Sequence, residues 1–288
     1  MNKVLYIILI SLFSLTVFSC TKSDDSKTAT TDNTTSSSDD SSDNSSSSSV
    51  PRGFVAVGNE GTIVKSTDNG SSFDNVTSPG GWDLGGVVFG NTTLVAVGQA
   101  GVVFSSTDNG STWNKWMDWV NSSHFNGVTF GNDIFVAVAD DGIIIRSTNG
   151  STWNNVTSLT ANANHIIGVT FGNNTFVAVG YSGNIIRSTD NGSSWDNATS
   201  PTANDLRGVT FGNNTFVAVG ASGNIFRSTD NGSSFDNATS PTANDLSGIT
   251  FANNTFVAVG DYIVRSTDNG SSFDNATSGT NHLVGTNH

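Results

Sequence analysis

The sequence predicts an all-β fold, a six-bladed β-propeller built from four-stranded antiparallel blades. The first observation is a repeat: a short apolar run begins at six positions, Phe54, Leu94, Phe135, Phe176, Phe216 and Phe256. The steps are 40, 41, 41, 40 and 40 residues, a period typical of one supersecondary unit repeated around a ring or along a stack. The second observation is composition, since 31 glycines and only 12% charged residues suit a turn-rich β protein.

The third observation is the pattern inside each repeat, which residues 206–240 illustrate. Asn213 and Asn214 tolerate positive φ and favour a turn, and Asn231-Gly232 favours the type I′ turn of a hairpin. Between these turns lies a continuous β-prone run, as expected for a strand that is buried on both faces. The strands predicted in this repeat, A to D, are 206–212, 215–220, 223–229 and 233–239.

The two ends of the repeat region predict how the ring closes. The first repeat begins at strand B, because the residues before Val50 are rich in serine. The last repeat finishes with residues 283–285, which align with the strand A residues 246–248. We therefore expect the C-terminal strand to pair into the N-terminal blade and close the ring, which would remove exposed strand edges. A poorly closed ring is the alternative, because the polar residues 286–288 replace the apolar 249–251.

A second signal recurs in register with the strands. Residues 66–73, Ser-Thr-Asp-Asn-Gly-Ser-Ser-Phe, resemble the Asp box of the BNR-type repeat, Ser-x-Asp-x-Gly-x-x-Trp/Phe. Further copies lie at 106–113, 188–195, 228–235 and 266–273, and a copy at 147–153 is one residue short and lacks the Asp. The resemblance covers residues 54–285 and implies the propeller fold of sialidases, sortilin-type receptors and photosystem II assembly factors.

The aspartates of these boxes are predicted to be structural. The carboxylate should accept hydrogen bonds from turn amides, the glycine should take the left-handed conformation, and the aromatic residue should pack under the hairpin. An EF-hand loop would need further carboxylates and a closing Glu, which are not present. The five aspartates are Asp68, Asp108, Asp190, Asp230 and Asp268.

Residues 1–19 predict a lipoprotein signal peptide. Lys3 supplies a positive charge, and residues 4–18 are an apolar run too short for a transmembrane helix. Residues 17–20, Val-Phe-Ser-Cys, resemble the lipobox of bacterial lipoproteins, which implies cleavage before Cys20 and acylation of its thiol and new amine. An ordinary signal peptide with an incidental cysteine is the alternative. Because Cys20 is the only cysteine, disulfides are excluded.

The rest of the chain divides into a tether and a domain. Residues 20–49 are almost entirely Ser, Thr, Asp, Asn and Lys, so they have little to bury and are expected to be disordered. Residues 50–288 form the predicted propeller. Asp24-Asp25 resembles the acidic surface-export signal of some Bacteroidetes lipoproteins. The expected location is the bacterial cell envelope, with a lipid anchor in the membrane, at the outer membrane or the cell surface.

The charge and the residue types exclude several functions. A net charge of −13 argues against nucleic acid, which requires a basic surface. Sialidases, as a family, use three arginines, a Tyr–Glu nucleophile pair and an Asp acid/base, but Glu60 is the only glutamate here and Tyr181 and Tyr262 lie in variable turns. Four arginines occupy one equivalent repeat position, so the ring would spread them apart: Arg146, Arg187, Arg227 and Arg265. We predict no catalytic residue, no metal and no cofactor.

One candidate site is a set of residues that precede strand A in each repeat. Because strand A is the innermost strand of a propeller blade, these residues could encircle the mouth of the channel. Three His and three Asp would suit a metal or a pH-sensitive gate; the alternative is that each one caps a turn before its strand. The six are Asp83, His124, His165, Asp205, Asp245 and His282.

A second candidate site is aromatic. Trp82, Trp116 and Trp119 have no counterparts in the later repeats, and they lie near Asp83 and His124 in the chain. Aromatic rings beside carboxylates suit a sugar or the hot spot of a partner protein. The alternative is that the tryptophans only fill space under a longer loop.

These observations predict a membrane-anchored lipoprotein that presents a non-enzymatic propeller as a binding platform for an unknown protein or glycan. The alternative function is a carbohydrate-binding propeller or a sialidase-like glycoside hydrolase. Arg207 is the only arginine in a strand A, and it could point into the channel or into solvent.

Overall fold

The computed structural model of the chain describes residues 53–118, 123–157 and 165–276. Their strands form six antiparallel sheets, which we call blades 1 to 6 in chain order. Blade 1 contains β1 (Phe54–Val57), β2 (Ile63–Ser66) and β3 (Asp74–Val76). Blade 2 contains β4 (Leu84–Gly90), β5 (Thr93–Gly98), β6 (Val102–Ser106) and β7 (Asn114–Asp118). Blade 3 contains β8 (Phe125–Gly131), β9 (Ile134–Ala139), β10 (Ile144–Ser147) and β11 (Asn154–Asn155).

The later blades repeat this arrangement closely. Blade 4 contains β12 (Ile166–Gly172), β13 (Thr175–Gly180), β14 (Ile185–Ser188) and β15 (Asp196–Asn197). Blade 5 contains β16 (Leu206–Gly212), β17 (Thr215–Gly220), β18 (Ile225–Ser228) and β19 (Asp236–Asn237). Blade 6 contains β20 (Leu246–Ala252), β21 (Thr255–Gly260), β22 (Ile263–Ser266) and β23 (Asp274–Asn275). The all-β propeller of six blades is therefore confirmed, and strands A and B of blade 5 have the predicted bounds.

The outer strands are shorter than the sequence predicts. The predicted strand D of blade 5, 233–239, forms ladder pairs with strand C only through Asp236–Asn237. The amides of Ser233 and Ser234 instead donate to the carboxylate of Asp230, so the Asp box uses the backbone groups that a ladder would need. Strand C starts two residues late because Ser222 has φ 58° and bends the chain.

Each blade presents two ends to solvent, which carry different loops. In blade 5 strand A begins at Leu206, which pairs with Gly220 at the end of strand B. The turn between strands B and C and the loop before strand A therefore share one end, which we call the turn face. The Asn-rich hairpin and the Asp box share the other end, which we call the box face.

The hydrophobic core lies between blades rather than inside them. Val177 and Val179 of blade 4 belong to one buried cluster with Phe216, Phe226 and Phe235 of blade 5. The six residues of β17 are all buried, which agrees with the prediction that strand B has two buried faces. Burying a phenylalanine of this kind stabilises the fold by about 1.5–3 kcal/mol. Each blade is therefore stabilised by apolar contacts with its neighbouring blades.

Blade 1 differs from the others because it has three strands in the described residues. Its β1 is partly exposed along its whole length, since no strand A is paired with it there. Residues 283–285, the predicted closing strand, lie outside the described residues, so closure of the ring stays a prediction. Cys20 and the tether also lie outside them. Within the described ranges, no helix is long and apolar enough to cross a membrane.

Candidate binding face

The Asp boxes lie on the box face, and their polar groups form hydrogen bonds within each box. In blade 5, Asp230 Oδ1 accepts from the Ser234 amide at 3.0 Å, and Oδ2 accepts from the Ser234 hydroxyl at 2.6 Å. Ser228 Oγ donates to Asp230 at 2.7 Å and accepts from the Gly232 amide at 2.9 Å. These groups leave little hydrogen-bonding capacity for a ligand. The geometry is that of a folding device, which is the role the sequence predicts.

These hydrogen bonds also lower the pKa of the carboxyl groups in the Asp boxes. Bonds from the Ser72 hydroxyl and amide, followed by the bond from Ser66, lower the pKa of Asp68 to about 2. The equivalent bond from the Ser272 hydroxyl lowers the pKa of Asp268 to about 2, against a smaller opposing effect of burial. For Asp230, burial would raise the pKa, but the bonds from Ser234 and Ser228 outweigh it and the net change is downward.

The shortened box of blade 3 keeps this geometry without a carboxylate. Asn149 Oδ1 accepts from the amides of Ser151 and Thr152, both at 2.9 Å, and from the Ser147 hydroxyl at 3.2 Å. The Gly150 amide donates to Ser147 Oγ at 2.8 Å. An amide oxygen therefore replaces the missing carboxylate, and the turn of blade 3 forms although the Asp is absent.

The box face is also tied together between blades. The Asn231 side-chain amide of blade 5 donates to Thr175 Oγ1 of blade 4 at 2.6 Å, and Asn269 of blade 6 donates to Thr215 of blade 5 at 2.8 Å. Arg187, one of the four repeated arginines, reaches the Asn231 carbonyl at 3.4 Å. Arg187 thus bridges neighbouring blades.

On the turn face, three of the residues that precede strand A cap turns. Asp83, Asp205 and Asp245 each accept, through Oδ1, the amide of the turn in the preceding blade. The donors are Glu60 at 2.7 Å, Ser182 at 2.9 Å and Ser222 at 2.9 Å. For these three aspartates the structure therefore shows the alternative to a predicted metal site or gate, in which each residue caps a turn. His282 lies outside the described residues.

The two histidines of this ring that are described behave differently from the aspartates. His124 is exposed, and its carbonyl accepts the Asp140 amide at 3.0 Å. His165 Nδ1 lies 2.8 Å from Asp140 Oδ1 across the junction of blades 3 and 4. The ring of Tyr181 lies 5.3 Å from the ring of His165, centroid to centroid. Since both Tyr181 and His165 are partly exposed, this junction presents a polar and aromatic surface.

Asp140 is fixed from a second direction by Asn126. The Asn126 side-chain amide donates to Asp140 Oδ1 and to the Ile166 carbonyl, both at 2.9 Å. Asn126 is the bulged residue of β8, between Phe125 and Gly127, where the register with β9 shifts. The bulge leaves this residue out of the ladder, so its side chain is free to join blades 3 and 4.

The same bulge recurs in every described strand A, and its residue changes from blade to blade. Arg207 occupies it in blade 5, and Arg207 Nη2 lies 2.8 Å from Asp245 Oδ2 of blade 6. The bond from the Ser222 amide, and then the Arg207 charge, lower the pKa of Asp245. The sequence analysis named Arg207 but did not identify the bulge position that Arg207 occupies. The change of residue at this position from one repeat to the next is the signal that could have identified it. The five bulge residues are Gly85, Asn126, Ile167, Arg207 and Ser247.

The aromatic candidates fall into two kinds of environment. Trp82 is partly buried; its ring packs edge-on against Phe104 at 6.5 Å, and the Lys115 ammonium lies 3.6 Å from its centre. A Cβ on Gly80 would clash with the same ring, so Trp82 has contacts on several sides. Trp116 is 50% exposed. It is the extra residue of a bulge in β7, and its indole nitrogen donates to the Ser105 hydroxyl.

Trp119 lies outside the described residues, so the platform of three tryptophans stays a prediction. Trp82 and Asp83 lie on the turn face, before strand A of blade 2, whereas Trp116 lies on the outermost strand of the same blade. Among the residues that the structure describes, no three His, Cys, Asp or Glu side chains come together as a metal site would need.

Comparisons with solved structures identify the fold. The chain is similar to YCF48 from Cyanidioschyzon merolae, with a TM-score of 0.62 and 16% identity over 78% of this chain and 80% of that one. YCF48 bound to a D1 peptide gives a TM-score of 0.62 and 16% identity, over 77% and 76% of the two chains. The computationally designed protein Ika8 gives 0.57 and 14%, over 74% and 67%. No protein-family model and no curated protein matches the sequence.

Proposed function

We propose that this chain is a lipid-anchored protein of the bacterial envelope whose non-enzymatic propeller binds a protein partner through its turn face. The observation that carries the proposal is the contrast between the two faces. The box face repeats the same residues and uses them to bond blade to blade. The turn face of blades 3 to 6 instead exposes residues that differ between blades, among them Tyr181, His165 and Arg207. Exposed, variable loops on a rigid scaffold are where binding sites occur.

Charge suggests the kind of partner. On the turn face of blades 3 to 6, carboxylates outnumber the basic groups Arg207, His124 and His165. A partner segment with Lys or Arg would complement this surface, and charge complementarity of this type raises association rates and fixes orientation. A solved structure with the same fold is YCF48 bound to D1 peptide, which supports a protein segment as the ligand class. The carboxylates are Asp140, Asp141, Asp205, Asp245 and Asp261.

The first experiment places a photo-crosslinking residue at Tyr181 or at Ser193 in the full chain, in cells that naturally produce it. Both positions are exposed and belong to blade 4, but Tyr181 lies on the turn face and Ser193 on the box face. We expect a discrete adduct from position 181 only. Adducts of equal yield from both positions, or from neither, would contradict the proposed binding face.

A charge variant makes this experiment specific. Asp141 and Asp261 are exposed, so Asp141→Asn with Asp261→Asn removes two charges while keeping residue size. We expect the yield of the adduct from position 181 to fall several-fold in this variant, and to fall also when salt is raised. The matched control is Asp196→Asn with Asp236→Asn, which removes two exposed charges from the outer strands of blades 4 and 5 and should leave the yield unchanged.

The envelope location depends on Cys20, which the sequence predicts to carry acyl chains. Several acyl chains would hold the protein firmly, since each buried methylene contributes about 0.8 kcal/mol. We expect the wild type to fractionate with membranes and to incorporate a clickable fatty acid, and Cys20→Ala to do neither. Protease added to intact cells then distinguishes the cell exterior from the periplasm. A soluble, unlabelled wild type would refute the anchor.

A carbohydrate ligand is the second candidate, and exposed Trp116 is the observation that favours it. Trp82 is less suited to stacking on a sugar because Lys115 already occupies one face of its ring. The test is a glycan array with the full chain, its Trp116→Ala variant and the Trp82/Trp116/Trp119 triple alanine variant, all checked by circular dichroism. Binding that is lost in a folded Trp116→Ala variant would place sugar recognition first. Silence of the folded wild type would exclude the glycans tested.

A further inference from the structure

On the turn face, the junction of blades 3 and 4 contains a hydrogen-bond network that uses its own donors internally. Asp140 Oδ1 accepts from the Asn126 side-chain amide at 2.9 Å and from His165 Nδ1 at 2.8 Å. A side-chain amide has two hydrogens, and Asn126 donates the other one to the Ile166 carbonyl at 2.9 Å. Both donors of Asn126 and the Nδ1 donor of His165 are therefore committed to the junction itself.

The groups of this network that remain are acceptors. Asp140 Oδ2 has no hydrogen-bond partner among the residues that the structure describes, and the Asp140 side chain is 24% exposed. Because Nδ1 donates to Asp140, Nε2 of the neutral His165 imidazole is an acceptor, and this side chain is 45% exposed. Asp141 adds an exposed carboxylate beside them. The junction therefore suits a cationic ligand that carries several N–H donors.

An exposed aromatic ring borders these acceptors. Tyr181 is 41% exposed, and its ring centroid lies 5.3 Å from that of His165. The equivalent turn position holds Gln99 in blade 2 and Ala221 in blade 5, so those blades have no ring at this place. A guanidinium group stacks on an aromatic face and donates hydrogen bonds in its own plane to acceptors at the edge of the ring. The combination of ring and acceptors therefore favours arginine.

The junction of blades 5 and 6 shows how a carboxylate on this face binds a guanidinium. Asp245 Oδ1 accepts the Ser222 amide at 2.9 Å, while Oδ2 lies 2.8 Å from Arg207 Nη2. One oxygen is thus held by the fold and the other binds the guanidinium. Asp140 has the first half of this arrangement, but the bulge residue at its junction is Asn126 instead of an arginine. Among the described residues, no guanidinium is paired with Asp140.

We propose that the junction of blades 3 and 4 binds an arginine side chain of the protein partner. The guanidinium stacks on the Tyr181 ring and donates to Asp140 Oδ2 and His165 Nε2. This inference rests on the proposed function and narrows it, because it names the residue type that anchors the partner and the junction that receives it. A lysine offers the charge without the planar donors, and a neutral urea offers planar donors without the charge.

Three photoreactive peptides test the ligand class. They are identical except at one position, which is arginine, lysine or citrulline (a neutral urea of the same shape), and each carries benzoylphenylalanine beside it. The full chain, purified in mild detergent, is irradiated with each peptide at about 1 mM, because a single side chain binds weakly. Peptide mass spectrometry then locates the adducts.

We expect the arginine peptide to label the turns 140–142 and 181–183, with a yield several-fold above that of the lysine peptide and higher still above that of the citrulline peptide. Equal yields for arginine and citrulline would overturn the proposal, since they would mean that charge has no part in binding. Equal yields for arginine and lysine, or adducts located elsewhere on the chain, would overturn it as well.

Variants of the site test its geometry. Asp140→Asn can keep both internal bonds, because both go to Oδ1, but it places an amide donor where Oδ2 accepts. We expect labelling by the arginine peptide to fall about tenfold. Tyr181→Leu keeps an apolar side chain and removes the aromatic face, which should lower labelling about threefold. The matched control is Tyr262→Leu on the turn of blade 6, where the tyrosine is 40% exposed, and it should leave labelling unchanged.

Circular dichroism and melting curves check that each variant folds. Because Tyr181 is exposed, Tyr181→Leu tests the site even where Asp140→Asn lowers the melting temperature. A labelling yield that is unchanged in folded Asp140→Asn and Tyr181→Leu would overturn the proposal.

The outcomes also separate this inference from the proposed function. A partner adduct from an aromatic crosslinker at position 181 in cells, with no preference for the arginine peptide in the purified chain, would overturn the arginine site and leave the binding face. Labelling that is selective for arginine, with no partner adduct in cells, would support the site and contradict the proposed function.

Discussion

The box face and the turn face are built from the same polar residue types but use them in opposite ways. On the box face Asp230 accepts four amide and hydroxyl bonds within its own turn, and the neighbouring Asn231 bonds the preceding blade. On the turn face Asp245 accepts one turn amide and shares its other oxygen with Arg207. Where every polar group has several hydrogen-bond partners, replacing one residue leaves the polar groups of the others without a partner. Where a single cap suffices, neighbouring residues can change, and the turn-face residues do differ from blade to blade.

The largest expected effect of this difference is on stability. Ser228→Ala removes a buried hydroxyl and leaves the Gly232 amide of the box without its acceptor, which should cost about 1–3 kcal/mol of unfolding free energy. Tyr181→Ala, on the turn face of the preceding blade, should change the unfolding free energy by less than about 0.5 kcal/mol. Urea denaturation measures both. Equal losses for the two variants would show that the faces do not differ as described.

The next effect is a dependence of stability on acid. The pKa values of Asp68 and Asp268 are lowered from 3.8 to about 2 in the fold. The folded chain therefore binds fewer protons than the unfolded chain between these values. The stability that these carboxylates contribute is present above pH about 4 and is lost as the pH falls towards 2.

Melting temperatures between pH 2 and pH 6 measure this loss. Asp268→Asn should flatten the acid limb of the curve, because an amide does not titrate. Asp261→Asn on the turn face of the same blade is the charge-matched control. An acid limb that is unchanged in Asp268→Asn would mean that the boxes do not produce it.

A smaller gain is expected from repairing the box of blade 3. Asn149→Asp replaces an amide oxygen by a carboxylate with the same donors around it, and charged acceptors form hydrogen bonds roughly twice as strong as neutral ones. We expect a gain of about 0.5–1 kcal/mol in chemical denaturation. Asp190→Asn in blade 4 makes the reverse change and should lose a similar amount. A loss in Asn149→Asp would show that the shortened turn is adapted to an amide.

The smallest effect is expected for the ion pair between blades 5 and 6 on the turn face. Arg207→Ala leaves Asp245 with its bond from Ser222, and partly exposed pairs contribute about 0–1 kcal/mol. The unfolding free energy of the wild type should fall towards that of the variant as salt is added, since salt screens the pair. A loss well above 1 kcal/mol that persists in high salt would place Arg207 among the structural residues.

Much of the fold could be predicted because its signals are local. Strands A and B of blade 5 have the predicted bounds, since an Asn-rich turn and a β-prone run are read from neighbouring residues. Strand D was predicted too long, because the sequence alone does not show that the box captures the amides of Ser233 and Ser234. The box of blade 3 appears degenerate in sequence but is intact in structure, since Asn149 offers an oxygen at the same place.

The candidate site was less predictable because its contacts join residues of different blades. Asp140 and His165 are 25 positions apart in the chain and meet only when blades 3 and 4 stack. Asn126 joins blades 3 and 4 because it lies in a bulge of β8, and no residue pattern specific to blade 3 predicts this contact. The predicted ring of Asp and His residues is divided by the structure into capping aspartates and histidines with other neighbours. The predicted binding roles stay predictions for all five candidate residues, Trp82, Asp83, Trp116, Trp119 and His124.

The sequence by itself determined the repeat, the number of blades, the strands of each blade and the Asp-box turns, because each of these depends on residues within one hairpin. Only the tertiary structure decided which side chains face each other across a junction and which remain exposed. The physical reason is that a blade buries its core against its neighbours. The contacts of Arg207 and Asp140 are therefore set by how whole blades stack, and not by the residues beside them in the chain.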